Sequence, residues 1–488
     1  MRTFTAAALL LSVAIRASAA EEKGPDAPKW SSRVQTVLDV TKPLEFERGD
    51  RLPLYLWPAT SPGDLDDQTA EHLVRELDRR GVGLIASWSP AKREESLSRA
   101  LPIARAQKKL GVRVNVNANA CMSRFFNGDE PTAHVDAQGK PFWDESFDTR
   151  GRPNHMGCPF TLDLRKDAIR EQVEWFAQAY QEAGLGVDFL FVDWEIDGPI
   201  EFNRAHEASK RCTRCRRQFQ DVDNFLEFQK VLREIRSELQ RYALAEPVLS
   251  RFPAALVGNY ALYPHDGYRY WYDYFEYYVE GQPHVADQRA KYRHWANEFP
   301  GTGYTFAMPV VYTWYPTYGW YDFENPDYRW FYNMLLVATN ACKHTPQGVP
   351  IISFVHWHTT APPEDPDPSV KQLSQEAYQE LLWHMLLRGT DTLFLWCPKD
   401  EDAEEIRLVH EVYAAAQEYG EFLEKGTPIA FDVPKTAGPV VSGLLLDGRV
   451  LVRRTDFGES QEAVTIRVGK SELPVSPSPG RCEVVLLR

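Results

Sequence analysis

From about residue 51 to residue 424 the chain alternates between two hydrophobic periods. Short apolar runs at 52–57, 82–88, 112–117, 187–195, 255–262, 305–312, 350–358 and 391–397 predict strands. Stretches with apolar residues at helical spacing separate them, at 69–80, 94–110, 165–183, 217–243, 286–299, 326–343, 370–388 and 404–424. In the helix 165–183, for example, Ile169, Val173, Phe176 and Tyr180 line one face. Strands alternating with helices predict parallel strands joined by right-handed crossovers. Eight such units predict an α/β fold, a (β/α)8 TIM-like barrel, whose chemistry sits where its strands end.

The pattern changes outside this span. Residues 21–50 form a charged N-terminal extension, with an edge strand expected at 34–40. Beyond residue 425, alternating segments at 439–446, 450–454, 463–468 and 482–487 are separated by Gly, Pro and Asp turns. They predict a small all-β domain over 425–488. Phe457 is its only aromatic ring after Phe431, so packing on the barrel is favoured over sugar binding.

The strand 187–195 breaks its own apolar rule at its end, with Asp193-Trp194-Glu195. Side chains alternate along a strand, so Asp193 and Glu195 point to one side and Trp194 to the other. Two carboxyls so placed repel, and one holds its proton toward neutral pH, as a general acid must. A carboxylate pair satisfied by Arg, Lys or a metal is the bland alternative. Aromatic residues gather at the other strand ends: Tyr260, Tyr263, Tyr268, Tyr312, Trp314, Trp357 and Trp396. Sugars present apolar faces edged with hydroxyls, so a mouth of aromatics and carboxyls suits an oligo- or polysaccharide substrate.

Composition and address narrow the class. Residues 1–20 place Arg2 before an apolar stretch and end at Ala17-Ser18-Ala19, the pattern of a signal peptide cleaved near Ala19 or Ala20. Secretion or periplasmic export follows. No later apolar run is long enough for a membrane span. The formal net charge of −14 argues against nucleic acid as a partner. Of the seven cysteines, Cys212 and Cys215 have metal-type spacing, but with no second pair nearby a local disulfide or two plain thiols is favoured over zinc. His356 and His358 share one strand face; without a third ligand, hydrogen-bonding or packing roles are favoured, so no metal and no cofactor is expected.

Asp193 and Glu195 lie only about 6–7 Å apart along a strand, too close to flank a sugar ring from opposite faces. The spacing suits substrate assistance, in which a 2-acetamido oxygen attacks the anomeric carbon. Glu195 would act as acid and then base, Asp193 would orient the acetamido N–H, and Tyr312 would hold the acetamido oxygen.

Taken in order, these motifs resemble the hyaluronidases of glycoside hydrolase family fifty-six. The resemblance rests on Asp193-Trp194-Glu195, on the run from Gly258 to Tyr270, on Ala307 to Tyr312 and on Trp396. It implies Glu195 as acid/base, Asp193 as acetamido partner, and Tyr260, Tyr312 and Trp396 as the subsite lining. The family's barrel disulfides have no counterpart among these cysteines. A partial similarity to family eighteen chitinases aligns Asp188, Asp193 and Glu195, with Phe191 where that motif has an Asp. Two alternatives remain open. One is a glycosidase of other specificity, pairing Glu195 with Asp266, Asp322, Glu324 or Glu364 from elsewhere; the other is a non-catalytic sugar-binding barrel.

Overall fold

A computed structural model describes residues 30–122, 130–143, 148–149, 152–153, 157–161, 163–194, 205–260, 262–265, 298–314, 321, 323–360, 371–398, 402–458 and 462–487. The expected signal peptide, the helix expected at 286–299 (save its last two residues) and Glu195 lie outside them. Among the described residues no helix is long and apolar enough to cross a membrane.

Two parallel sheets carry the strands. One runs in the order Val310–Trp314, Ile352–Thr360, Thr392–Trp396, Leu54–Trp57, Val82–Gly83. The other runs Leu256–Asn259, Phe189–Val192, Asn115–Asn117, Ile85–Ser87. The sheets share the strand expected at 82–88, which divides at Leu84. Its carbonyl accepts from the side chains of Gln107 at 2.8 Å and Asn115 at 3.1 Å instead of from a neighbouring strand.

Among the described residues the two sheets do not join into a closed eight-stranded ring. No ladder joins Leu256–Asn259 to Val310–Trp314 among the described residues. A local reason is visible in the strand expected at 305–312, whose ladder begins only at Val310. Pro309 has no N–H to donate, and the residues before it make an isolated bridge, Ala307 to Ile351. The junction is instead crossed at Thr305. Its N–H donates to the Val257 carbonyl at 2.9 Å, and its hydroxyl accepts from the Val257 N–H at 2.7 Å.

One aromatic core nevertheless serves both sheets. Tyr55 stacks on Phe189 with ring centroids 4.3 Å apart, and Phe191 meets Phe394 at 4.6 Å. Phe306 closes on Phe189 at 5.3 Å, and Phe354 on Phe394 at 5.5 Å. Apart from Phe306, which precedes the strand Val310–Trp314, these rings come from strands of both sheets, so the two arcs share one filling. Gly258 makes room for it: a Cβ there would sit 2.7 Å from the Phe306 ring.

The outer layer follows the helical periods, with helices at Asp67–Asp78, Arg93–Leu110, Asp163–Glu182, Phe225–Gln240, Pro326–His344, Gln375–Leu386 and Ala403–Ala416. The N-terminal extension differs from expectation. Ser32–Val40 is a helix rather than an edge strand, capped by the Ser31 hydroxyl, which accepts from the Val34 N–H. Val34, Val37 and Leu38 fall at i, i+3 and i+4, and this face packs into the main core.

The C-terminal segment forms an antiparallel sheet in the order Thr427–Pro428, Pro439–Leu446, Arg449–Asp456, Cys482–Leu486. A separate hairpin joins Val464–Val468 to Ser471–Val475, the latter strand unforeseen because Pro474 interrupts its pattern. This domain packs on the helices Pro326–His344 and Gln375–Leu386. Buried Arg388 donates to the hydroxyls of Ser442 and Thr339, both at 2.7 Å, and to the carbonyls of Asp432 and Val441. Arg453 forks onto Glu380, and Phe457 inserts among Tyr328, Phe331 and Tyr332.

Candidate active site at the strand ends

Phe189–Val192 is buried along its length, and the chain emerges from the sheet at Asp193. Asn259, at the end of the neighbouring strand, receives it. Its Oδ1 accepts from the Trp194 N–H at 2.8 Å, and its Nδ2 donates to the Trp194 carbonyl at 3.0 Å. The same Nδ2 donates to Gln240 Oε1 at 2.9 Å, and Tyr304 donates to that oxygen at 2.7 Å. A fully buried amide thus takes the place of a ladder and sets the direction in which Asp193 leaves.

Asp193 is partly buried, and its enclosed Oδ1 has no hydrogen-bond partner. Burial pushes its pKa up to about 6, because a carboxylate shielded from water is disfavoured relative to the neutral acid. Asp188, aligned with the first Asp of the chitinase motif, lies at the other end of this strand. Its carboxylate accepts from the Val114 N–H at 2.8 Å, a structural role remote from Asp193.

Three of the expected aromatics converge. Tyr260 and Tyr312 meet hydroxyl to hydroxyl at 3.0 Å, and the Tyr312 ring lies 5.7 Å from Trp396. Tyr260 also packs edge-on to Phe354, so the pair stands on the aromatic core. A fourth, Trp357, is not a platform. It points outward to the helix layer, where its Nε1 donates to the Leu373 carbonyl at 2.9 Å. Strand alternation dictates this, since Phe354 and His356 take the inner face. Tyr263 is buried beside His265, with ring centroids 5.1 Å apart. The backbone of Trp314 is described and its side chain is not; Tyr268, Asp266, Asp322 and Glu364 lie outside the described residues, and Glu324 is exposed.

Sequence patterning missed one participant. Glu405, in the first turn of Ala403–Ala416, is fully buried. It lies 3.0 Å from His356 Nδ1 and 4.0 Å from His358 Nε2, and it accepts from Tyr378 at 3.1 Å and from the Trp357 N–H. His356 in turn packs against Trp396 at 5.1 Å and edge-on to Tyr312 at 6.0 Å. The available signal was positional: Glu405 shares a helical face with Leu408, Val409 and Val412, all buried. A small cleft lined by Arg48, Pro53, Asp78, Arg113 and Asn115 opens at the opposite face, where the strands begin, and contains none of these residues.

Chemically, these strand ends bring together a carboxyl whose pKa burial raises to about 6, a paired tyrosine hydroxyl, an aromatic wall and a histidine 3.0 Å from a buried carboxylate. No protein-family model matches the chain, and no curated protein does. Among solved structures it is similar to alpha-L-fucosidase isoenzyme 2 from Paenibacillus thiaminolyticus, at 15% identity and a TM-score of 0.45, covering 78% of this chain and 51% of that one. It is also similar to a GH36 alpha-galactosidase from Geobacillus stearothermophilus (10% identity, TM-score 0.40, 91% and 56% covered). A third is cyclic alpha-maltosyl-(1→6)-maltose hydrolase from Arthrobacter globiformis (10% identity, TM-score 0.41, 94% and 96% covered). The chain spans about half the length of the first of these, and likeness at this level fixes neither a fold nor an activity.

Proposed function

We propose that this chain is an exported glycoside hydrolase on a (β/α)8 barrel, cleaving N-acetylhexosamine-containing glycans with retention by substrate assistance. The observation that carries the reading is Asp193: a carboxyl at the end of a buried strand, with one oxygen enclosed and unpartnered and a pKa near 6. A group kept this way costs stability, and such costs cluster where chemistry needs them. Glu195, two residues later, lies outside the described residues; the sequence pattern expects it on the same side as Asp193.

In this scheme Glu195 protonates the leaving oxygen while the 2-acetamido carbonyl oxygen attacks the anomeric carbon. Asp193 accepts from the acetamido N–H and offsets the positive charge of the oxazolinium ring. Glu195 then takes a proton from the water that reopens the ring, so configuration at the anomeric carbon is retained. Tyr312, hydrogen-bonded to Tyr260, holds the acetamido oxygen in line, and Trp396 supplies an apolar wall. The domain 425–488 braces the helix layer.

The deciding experiment compares 2-acetamido and 2-hydroxyl oligosaccharides, with the product anomer followed by NMR. Glu195→Gln is expected to bind sugar and lose most turnover. Asp193→Asn is expected to penalise acetamido substrates far more than 2-hydroxyl ones. Equal loss on both series would reject substrate assistance and favour a second carboxylate across the pocket.

A further inference from the structure

We propose that His134, Cys158, Cys212 and Cys215 form a closed, tetrahedral structural zinc site that staples the segment after Asn115–Asn117 to the segment after Phe189–Val192. The inference is independent of the glycosidase reading. Cys212-Thr-Arg-Cys215 supplies a knuckle at the start of the helix Thr213–Gln218. Cys212 is the residue before the first helical turn and Cys215 lies inside it, so both thiols face one side. Sequence spacing alone lacks a second pair. The fold supplies it from two separate places: His134 from the strand His134–Val135, and Cys158 from just before the turn Pro159–Thr161.

All four side chains are buried, and one ligand atom from each lies within 4.8 Å of every other. A tetrahedral zinc with Zn–S bonds of about 2.3 Å requires sulfur atoms about 3.8 Å apart. Cys158 Sγ and Cys215 Sγ are 3.4 Å apart, near that spacing and well beyond a disulfide. His134 is fully buried, and neither ring nitrogen makes a well-formed hydrogen bond; the polar group facing it is the Cys212 thiol. A buried imidazole so placed is costly unless one nitrogen ligates a metal.

The surroundings are built to hold these four in place. The Val135 N–H donates to Cys212 Sγ at 3.5 Å, the kind of contact that orients a thiolate ligand. Thr213 donates to the Val135 carbonyl at 3.1 Å, and Arg214 reaches the carbonyls of Pro131 and Ala133. Cys158 is brought inward by its own N–H, which donates to the Thr132 carbonyl at 2.8 Å. Residue 157 must be glycine for this approach, since a Cβ there would sit 2.0 Å from the same carbonyl oxygen. Phe142 stacks over the His134 ring at 5.1 Å and covers the site. Four protein ligands leave no open position, and three thiolates with one imidazole match structural rather than catalytic zinc.

The test uses the full chain purified without added metal. Elemental analysis is expected to find about one zinc per chain, released as thiols are modified under native conditions. Replacement with cobalt is expected to give the absorption of a tetrahedral thiolate site. Cys215→Ser and His134→Gln are expected to lower zinc affinity by tenfold or more on the scale of such sites. If either variant fails to fold, zinc content and cobalt absorption of the unmodified protein decide instead. A zinc-free protein, a disulfide among Cys158, Cys212 and Cys215, or zinc kept by the cysteine variants but lost in Glu405→Gln would each overturn the assignment.

Discussion

Tyr260 and Tyr312 share a hydrogen bond of 3.0 Å between their hydroxyls, on the adjoining ends of two strands that no ladder joins among the described residues. The bond orders the Tyr312 hydroxyl, a group that can both donate and accept. Tyr312→Phe is expected to lower kcat on acetamido substrates about 100-fold, as loss of a positioned donor does. Tyr260→Phe keeps the Tyr312 hydroxyl and is expected to cost less. Steady-state kinetics on both variants checks the order.

The pKa of Asp193 has a consequence for stability. Its folded value, about 6, is raised above the ordinary 3.8, so the folded state holds the proton more tightly than the unfolded one. Stability contributed by the acid form is present below pH 4 and is lost as pH rises through 6. Asp193→Asn is therefore expected to stabilise the protein at pH 8 by roughly 3 kcal/mol or less, about 1.4 per pKa unit. The gain should vanish by pH 4, as read by urea denaturation at both values. A variant no more stable at pH 8 would mean that Asp193 is better solvated than its surroundings indicate.

Asn259 makes a sharper prediction, because its amide both donates to and accepts from the Trp194 backbone. Asn259→Ala is expected to cost about 2–4 kcal/mol by stranding buried polar groups. Asn259→Asp keeps the acceptor but turns an oxygen toward the Trp194 carbonyl and Gln240 Oε1, both acceptors. Asp at this position is expected to be the worse of the two at neutral pH and to recover on acidification. Thermal denaturation across pH distinguishes them.

At the interface with the C-terminal domain, Arg388 distributes its donors over two hydroxyls and two carbonyls. Arg388→Met fills the volume but withdraws the donors to Thr339, Asp432 and Val441 and leaves Ser442 with its contact to His384 Nδ1 at 2.7 Å, an expected loss of about 1–3 kcal/mol or more. Arg388→Lys is expected to rescue little, since an ammonium cannot reproduce the planar fork. Denaturant midpoints measure both.

How much of this was legible beforehand depended on distance along the chain. Strand and helix positions came from periods that repeat every two or 3.6 residues, so 439–446 and 326–343 emerged almost as expected. The N-terminal helix Ser32–Val40 was misread because four apolar residues in nine satisfy both periods. Tyr260, Tyr312 and Trp396 were legible as strand-end aromatics. Trp357 was equally conspicuous and faces the other way; in an apolar strand, only knowing which alternate residues line the core tells the two faces apart.

By itself the chain determined the alternation of strands and helices, the acidic strand end at Asp193 and the all-β composition of its last segment, because each follows from neighbours within a few residues. Only the tertiary structure decided that Glu405 sits beneath His356, that Asn259 clamps Trp194, and that His134 and Cys158 complete a cluster begun by Cys212 and Cys215. Those meetings join residues far apart in sequence. No local period encodes them; they exist because folding brings distant strand ends and loops to the same place.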